Sequence, residues 1–203
     1  MIDDNVLAAV LAGGKSQRFG SNKSEVMLNG KKLIDYTLDK LNKNFNNIII
    51  VSNEVEYDGY QTIRDCLEGN LGPLVGVLSA MKWALKNNKK IKWIATFPCD
   101  TPFFKTSILD KFLKALEQNS SKLYFAKTLD KRHNIFGFWS LELLEKLEED
   151  LTTNSIRKVE VWADKVGVKI INFKDENYDS FFNINTKEDL KKAEEMIKII
   201  KND

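Results

Sequence analysis

The sequence predicts an α/β fold in which helices cover both faces of a mostly parallel central sheet. Three short apolar runs, each typical of a buried strand, alternate over residues 1–118 with three segments whose apolar residues recur at helical spacing. The connections are short, and strands joined through helices in this way form right-handed βαβ units with a parallel sheet. A chain of 203 residues corresponds to one domain or at most two small ones.

The elements of the first part follow one another directly. They are a strand over 6–11, a helix over 33–41, a strand over 48–51 with a shorter one near Ile63, a helix over 74–85, a strand over 93–97 and a helix over 108–116. Pro73 is well placed in the first turn of the second helix, and Pro98 is expected to end the third strand.

The second part has a more mixed pattern. Strands are expected over 123–126, 135–139 and 168–173, a helix over 141–147, a short helix through 156–162 and a C-terminal helix through 190–197. Ser140 is a candidate cap for the first of these helices, and Thr186 with Asp189 resembles a capping box that opens the last one. Since nothing marks a boundary, the prediction is a single Rossmann-like domain over 1–203 with mixed strands in its second part.

Composition excludes several classes of protein. The 31 basic and 29 acidic residues give a formal charge of +2, which argues against a dedicated nucleic-acid binder. The longest apolar run, 6–12, has seven residues, far fewer than the roughly 20 that a membrane span needs. The start has no basic segment of the kind that opens a signal peptide, and two cysteines are too few for a disulfide scaffold. We therefore expect a cytoplasmic protein with neither nucleic acid nor membrane as partner.

The loop after the first strand predicts a phosphate site. Residues 13–23 hold three glycines and three cations directly past a strand end, and glycines let backbone N–H groups converge on an anion. A Walker loop is excluded because Ala9 stands where its first glycine belongs, and the dinucleotide fingerprint has a different spacing. The alternative is a glycine-rich turn with solvated cations.

A carboxylate follows the third strand, in the segment Pro-Cys-Asp-Thr-Pro at 98–102. Ligands of parallel sheets bind beyond the carboxyl ends of the strands, so Asp100 and the glycine loop should share one edge. A carboxylate beside a phosphate loop suggests a cation between them, and Mg²⁺ binds to one or two carboxylates together with substrate phosphates. The alternative is a turn carboxylate that accepts backbone hydrogen bonds.

These motifs together resemble a known family. Leu-Ala-Gly-Gly-x-Ser-x-Arg at 11–18, followed by Lys23, is similar to the signature loop of nucleotidyltransferases that act on small acceptors. Within that group the chain resembles the molybdenum cofactor guanylyltransferases. Further matching segments lie at 72–76, at 98–102, around Arg157 and at 183–186, in the family's order. A departure is Asn22, because the family commonly has an acidic residue directly before the loop lysine.

The resemblance implies a role for each matching residue. The nucleotide would be bound by Leu11, Ala12, Gly13, Gly14, Lys23, Asp65 and Asp100. Lys23, Arg18 and Asp100 would be the catalytic residues, with Asp100 as the Mg²⁺ ligand, and a further contact to the base would lie near Val51. The acceptor would be bound by Arg157, Asn183 and Asn185. The nucleotide-binding half would cover about 1–118 and the acceptor-binding half about 119–203.

The implied reaction is transfer of GMP from GTP to molybdenum-loaded molybdopterin, with Mg²⁺ as cofactor. Other cofactor-assembly proteins and client apo-enzymes are further expected partners. Three alternatives stay open. One is a sibling enzyme, either a cytidylyl- or adenylyltransferase on molybdopterin or a sugar-phosphate nucleotidylyltransferase. The second is a non-catalytic nucleotide-binding or carrier protein of the same fold, and the third is an assembly partner that passes the cofactor to apo-enzymes.

Overall fold

The computed structural model describes residues 4–13, 23–69, 71–118, 121–129, 131–174 and 178–200. Its strands are β1 (Val6–Leu11), β2 (Met27–Leu28), β3 (Lys31–Lys32), β4 (Ile48–Val51), β5 (Gln61–Ile63), β6 (Trp93–Pro98), β7 (Leu123–Thr128), β8 (Lys131–Ser140) and β9 (Lys169–Phe173). Its helices are α1 (Leu33–Asn42), α2 (Pro73–Asn87), α3 (Ser107–Glu117), α4 (Leu144–Thr152), α5 (Val159–Val166) and α6 (Lys187–Ile200). Within these ranges no helix is long and apolar enough to cross a membrane.

Seven strands form one central sheet in the order β5-β4-β1-β6-β8-β7-β9. Strand β1 lies between β4 and β6 and pairs in parallel with both. Strand β8 is antiparallel to both of its neighbours, β6 and β7, and β9 pairs in parallel with β7. All strands of this sheet except β8 therefore point the same way. The predicted mostly parallel sheet with mixed strands in its second part is confirmed.

Helices pack on both faces of the sheet, as predicted. The residues of β1 alternate between the faces, because successive side chains of a strand point to opposite sides. Ala8 and Val10 lie in the core that contains α1 and α3, whereas Leu7 and Ala9 lie in the core that contains α2, α4 and α5. This two-sided burial explains why β1 is a continuous apolar run rather than an alternating one.

A third, smaller core joins the C-terminal helix to the segment before α1. Ala193 and Ile197 of α6 pack there with Leu28 of β2, Leu33 of α1 and the buried Ile184. The capping box predicted at the start of α6 is present, because the Asp189 backbone N–H donates to Thr186 Oγ1 over 3.1 Å. This packing fixes the segment just before α6 against the first part of the chain.

Several bounds and one pair of strands differ from the sequence prediction. Helix α5 begins at Val159 rather than at residue 156. Strand β8 begins at Lys131 rather than near residue 135, because its polar first part continues to pair with β7 beyond a bulge at Phe125/Ala126. The small antiparallel ladder of β2 and β3 was not predicted, although its turn is the Asn29-Gly30 dipeptide with positive φ at both residues. Such a turn is typical of a two-residue hairpin. Pro98, expected just after the third strand, is the last residue of β6.

Candidate active site

A cavity of about 630 Å³ opens at the carboxyl edge of the parallel strands. Its walls come from the segments that follow β1, β4, β5 and β6, from the first turn of α2, and from Ile135 of β8 and Asn183 before α6. This is the edge at which open α/β sheets bind ligands. The placement joins the first strand of the sheet to a residue close to the C-terminus.

One end of the site is a cluster of charged and amide groups around the Lys23 ammonium, which we call the cation cluster. Lys23 Nζ forms an ion pair with Asp100 Oδ2 and donates to Asn185 Oδ1 and, over 3.2 Å, to Asn183 Oδ1. The Lys23 and Asp100 side chains are 16% and 14% exposed. An ammonium has three N–H donors, so these three oxygen atoms satisfy it completely.

The backbone around the cation cluster is fixed by further hydrogen bonds. The Ile184 N–H donates to the Asp100 carbonyl oxygen over 2.9 Å, which ties the two asparagines to the segment after β6. Asp189 Oδ2 accepts from the backbone N–H groups of Asn185 and Thr186, each over 3.0 Å. The cap of α6 thus orients one asparagine toward the lysine. The long-range hydrogen bond from Ile184 to Asp100 and the local cap at Asp189 together give a structural reason for the Asn-x-Asn-Thr segment before the last helix.

Lys40 of α1 holds the segment that follows Asp100. Its ammonium donates to the carbonyl oxygens of Pro102, over 2.6 Å, and Phe104, over 2.7 Å, and lies 4.7 Å from the centre of the Phe104 ring. Burial, with a smaller contribution from the charge of Lys31, lowers the pKa of Lys40 to about 8. Lys40 therefore fastens the segment that begins with Asp100 to helix α1.

The short 3₁₀ helix Lys23–Glu25 positions Lys23 itself. Ser24 is fully buried, and its hydroxyl is hydrogen-bonded to the hydroxyl of Tyr57, from the loop between β4 and β5. Burial raises the pKa of Tyr57 to about 12, so the phenol stays protonated and available as a donor. Tyr57 thus holds the 3₁₀ helix that contains Lys23.

The other end of the cavity contains a reciprocal pair, Asn53 and Asp65, which we call the amide–carboxylate pair. Asn53 Nδ2 donates to Asp65 Oδ2, and the Asp65 backbone N–H donates to Asn53 Oδ1, each over 2.8 Å. Burial raises the pKa of the Asp65 carboxyl, and the hydrogen bond from Asn53 partly opposes this rise. Asn53, two residues past β4, lines the cavity close to Val51, where the sequence predicts a further contact to the base.

Close packing shapes the floor between the two ends. A Cβ atom on Gly76 of α2 would lie 3.3 Å from Leu11 Cδ2, so this helix approaches β1 closely because the residue is glycine. Gly72, just before α2, has φ of +79°, in the region that favours glycine. The Gly-Pro-Leu-Val-Gly segment therefore has a local structural reason in addition to its match to a family motif.

The predicted site residues fall into three groups. Leu11, Ala12, Gly13, Asp65, Asp100 and Asn183 line the cavity. Lys23 joins them through its ion pair with Asp100, and Asn185 joins them through its hydrogen bond with Lys23. Gly14 and Arg18 lie outside the described residues. The third group is Arg157 alone. Its Nη1 donates to the carbonyl oxygens of Leu151, in the last turn of α4, and of Ile156, in the segment between α4 and α5.

Sequence reasoning missed three supporting side chains, Asn53, Lys40 and Tyr57. An amide two residues past a predicted strand end was an available signal for Asn53. Lys40 and Tyr57 act on segments distant in the sequence, so no local pattern identifies them. Among the described residues no group of three or more His, Cys, Asp or Glu side chains is placed to hold a metal ion.

Comparison with known proteins decides the family. A model of the MobA-like NTP transferase domain matches residues 8–166. The chain belongs to this family. A molybdenum cofactor guanylyltransferase from Haemophilus influenzae is 31% identical over 193 residues, which cover 93% of this chain and 97% of that protein. One from Rhizobium rhizogenes is 29% identical over 196 residues, covering 93% and 90%. The predicted resemblance is confirmed, and the protein is a nucleotidyltransferase.

Solved structures agree with the family assignment. The crystal structure of molybdopterin-guanine dinucleotide biosynthesis protein A from Archaeoglobus fulgidus is similar, with a TM-score of 0.76, 28% identity, and coverage of 95% of this chain and 98% of that one. A 4-diphosphocytidyl-2C-methyl-D-erythritol synthase from Anaerococcus prevotii has a TM-score of 0.70 at 15% identity, with coverage of 95% and 96%. That second likeness concerns the fold alone.

Proposed function

We propose that this MobA-like NTP transferase transfers GMP from GTP to the terminal phosphate of molybdenum-loaded molybdopterin. The products are molybdopterin guanine dinucleotide and pyrophosphate. The observation that carries the proposal is one cavity that joins the amide–carboxylate pair at one end to the cation cluster at the other. A nucleotide has the same two-ended character, with a base that donates and accepts hydrogen bonds and a chain of anionic phosphates.

The amide–carboxylate pair suits guanine. The guanine edge offers N–H donors from its ring and its amino group, and an ionised Asp65 carboxylate accepts such donors. Asn53 restrains one carboxylate oxygen through a 2.8 Å hydrogen bond, so the group is oriented before the base arrives. Adenine presents a ring nitrogen acceptor instead, which would leave the carboxylate unpaired, and a site built for hydrogen bonds rejects such an analogue.

The oxygen atoms of the cation cluster fit a divalent metal by their chemistry. A carboxylate and two side-chain amide oxygens converge on one positive charge, and Mg²⁺ prefers oxygen ligands. Asp100, with Asn183 and Asn185 beside it, would hold the ion. When bound, Mg²⁺ supplies positive charge that offsets the negative charge of the phosphate oxygens.

The residues of this chain contribute mainly by positioning. An oxygen of the acceptor phosphate forms a bond to the α-phosphorus of GTP while the bond from that phosphorus to the bridging oxygen breaks, and pyrophosphate leaves with the electron pair. The attacking phosphate is already anionic, so no strong general base is needed. Lys23, with Arg18 as the expected second cation, neutralises charge that develops at the α-phosphate.

The acceptor is assigned to the other half of the chain. We place the nucleotide-binding half at about 1–118 and the acceptor-binding half at about 119–203, with Arg157, Asn183 and Asn185 facing the pterin. The contacts of Lys23 with both asparagines support a junction of the two halves at the cation cluster. Two anionic substrates brought together at this junction need a cation between them.

Calorimetry with GTP, CTP and ATP in the presence of Mg²⁺ tests the nucleotide. GTP should bind at least about tenfold more tightly than ATP, which corresponds to 1.4 kcal/mol. Equal affinities would favour a sibling transferase. A pyrophosphate-release assay with molybdopterin then tests the reaction, with a sugar phosphate as the control acceptor. Tight GTP binding without pyrophosphate release would indicate a non-catalytic binding protein.

A further inference from the structure

The Lys23 ammonium and a divalent metal need the same oxygen atoms. Asp100 Oδ2 and the Oδ1 atoms of Asn183 and Asn185 surround Lys23 Nζ. These are the atom types that hard divalent cations take as ligands. The amine is therefore coordinated as a small cation would be, by one anionic and two neutral oxygens.

Both cations cannot occupy this place together. A divalent ion bound to Asp100 would lie within a few ångströms of the Lys23 ammonium, and like charges at that distance repel strongly where water is largely excluded. Both side chains are mostly buried, at 16% and 14% exposure, so salt screens the repulsion poorly. Nor can Asp100 stay without a cation, because an unpaired carboxylate at this burial is costly. One cation must replace the other.

Nucleotide phosphates can bring about this exchange. Lys23 has a flexible four-carbon side chain with rotatable donors, and it begins the 3₁₀ helix Lys23–Glu25. A triphosphate beside Ala12 and Gly13 offers several anionic oxygens in place of one carboxylate. Transfer of the ammonium to those phosphates would free three oxygen atoms at the position of the metal.

We propose that Lys23 acts as a displaceable cation that keeps divalent metal out of the nucleotide-free site and admits it when phosphates draw the ammonium away. The inference rests on the proposed function, since it takes a nucleoside triphosphate as the natural trigger. Metal and nucleotide then bind with positive coupling, and each raises the affinity for the other. The nucleotide-free protein binds divalent metal weakly even though the three oxygens are already assembled.

Manganese binding without nucleotide tests this proposal. Free Mn²⁺ is counted by electron paramagnetic resonance in titrations of the wild type, Lys23→Gln and Lys23→Arg. Lys23→Gln removes the charge but keeps an amide donor for the oxygen cluster, and it should bind Mn²⁺ at least about tenfold more tightly than the wild type. Lys23→Arg keeps the charge and should stay as weak as the wild type.

Three controls make the result decisive. Adding Asp100→Asn to Lys23→Gln should abolish the gain, which places the metal at this carboxylate. Lys82→Met removes a lysine that pairs with Glu148 on the helices α2 and α4, and it should leave Mn²⁺ affinity unchanged. Thermal unfolding confirms that each variant is folded, and Lys23→Met is the substitute should Lys23→Gln not fold.

Equal Mn²⁺ affinity of the wild type and the uncharged Lys23 variant would overturn the proposal, and so would a gain that survives Asp100→Asn. The titrations contain no nucleotide, so their outcome does not depend on the preference for guanine. A protein that prefers another nucleotide would contradict the proposed function while leaving the metal result intact. The two failures are therefore distinguishable.

Discussion

The two ends of the cavity are prepared for their ligands in different ways. At the amide–carboxylate pair, Asn53 and Asp65 orient each other through two 2.8 Å hydrogen bonds, and these bonds can persist when a base binds. In the cation cluster, the three N–H groups of Lys23 already donate to Asp100 and the two asparagines. A phosphate or a metal must therefore replace an existing partner there.

This difference predicts where substitutions act. A preformed end discriminates between ligands, because its groups lose a partner when the wrong base enters. For an end that exchanges partners we expect an effect on the reaction rate, because charges released there would stabilise the charge that develops in the transition state. Variants of the cation cluster should therefore lower turnover, whereas variants of the amide–carboxylate pair should change nucleotide preference.

The largest effect is expected at Asp100. Asp100→Asn keeps the shape of the side chain but removes the charge that pairs with Lys23 and would hold Mg²⁺. We expect turnover to fall by roughly 10²–10³-fold, comparable to the loss of one strong electrostatic stabiliser. Steady-state rates at saturating Mg²⁺ and GTP measure this. Near-normal turnover would contradict the catalytic role of the carboxylate.

Lys40 tests the support beneath the cation cluster through its pH dependence. Its pKa is about 8 in the folded protein, against 10.5 as the ordinary value, so between these values the unfolded chain binds a proton that the native protein does not. The contribution of Lys40 to the free energy of unfolding therefore rises with pH across that window, by up to about 3 kcal/mol. Below the window the cost of burying the charged amine is fully present.

Denaturant unfolding at about pH 7 and about pH 10 measures this rise as the difference between the wild type and Lys40→Met. Subtracting the variant removes the other groups that titrate. Lys146→Met is the control, since the Lys146 side chain is 42% exposed and its hydrogen bond and ion pair with Glu149 raise its pKa. It should show no such rise in this window. If the free energies of unfolding of the wild type and Lys40→Met differ by the same amount at both pH values, the lowered pKa of Lys40 is contradicted.

The amide–carboxylate pair should respond to Asp65→Asn. The amide cannot accept two guanine donors as a carboxylate does, so GTP affinity should fall about tenfold while ATP affinity stays nearly constant. Calorimetry with both nucleotides measures the ratio. Glu54→Gln, which removes a neighbouring negative charge from the cavity wall, should leave the ratio unchanged.

The raised pKa of Asp65 adds a direction to this test. GTP affinity of the wild type should fall on acidification at a higher pH than an ordinary aspartate would give, because the carboxyl takes up its proton earlier. Asp65→Asn should lack this fall. Loss of affinity for GTP and ATP alike would mean that the carboxylate supports the cavity rather than selecting the base.

The fold was predictable because its signals are local. The apolar run of β1 and the stripe of α1 are visible within ten residues, and both match the structure. The start of β8 was missed because its first residues are polar and its pairing partner, not its own pattern, makes it a strand. The hairpin of β2 and β3 also has a local signal, the Asn29-Gly30 dipeptide at its turn.

The site was predictable where motifs follow strand ends, and unpredictable where distant segments meet. Lys23 and Asp100 follow β1 and β6, which a parallel sheet brings to one edge. The contact from Lys23 to Asn185 spans 162 residues and depends on how α6 packs on β2, which no sequence period encodes. Lys23, of the predicted nucleotide-binding half, thus donates to Asn183 and Asn185, of the predicted acceptor-binding half.

The sequence and the structure suggest different roles for Arg157. Substitution of this residue is expected to have the smallest effect of those considered. The resemblance assigns it to the acceptor, whereas its Nη1 donates to the carbonyl oxygens of Leu151 and Ile156. A guanidinium can hold backbone carbonyls with one nitrogen and still present another to a phosphate. The backbone carbonyl oxygen of Arg157 lies 3.6 Å from where a Cβ atom on Gly72 would stand, and Gly72 lines the cavity, so the backbone of Arg157 lies beside the cavity wall.

Arg157→Lys separates these roles, because a lysine can keep a carbonyl bond but cannot form the two parallel hydrogen bonds of a guanidinium. If Arg157 faces the pterin, the KM for the acceptor should rise or turnover should fall, while GTP affinity stays within about twofold. If it only anchors the end of α4, stability should drop by about 1 kcal/mol with the KM unchanged. Arg132→Lys is the matched control, since that guanidinium binds Asp164 on α5 and should affect stability alone. A change in GTP affinity larger than the change in acceptor KM would mean that the division of the site at the cation cluster is wrong.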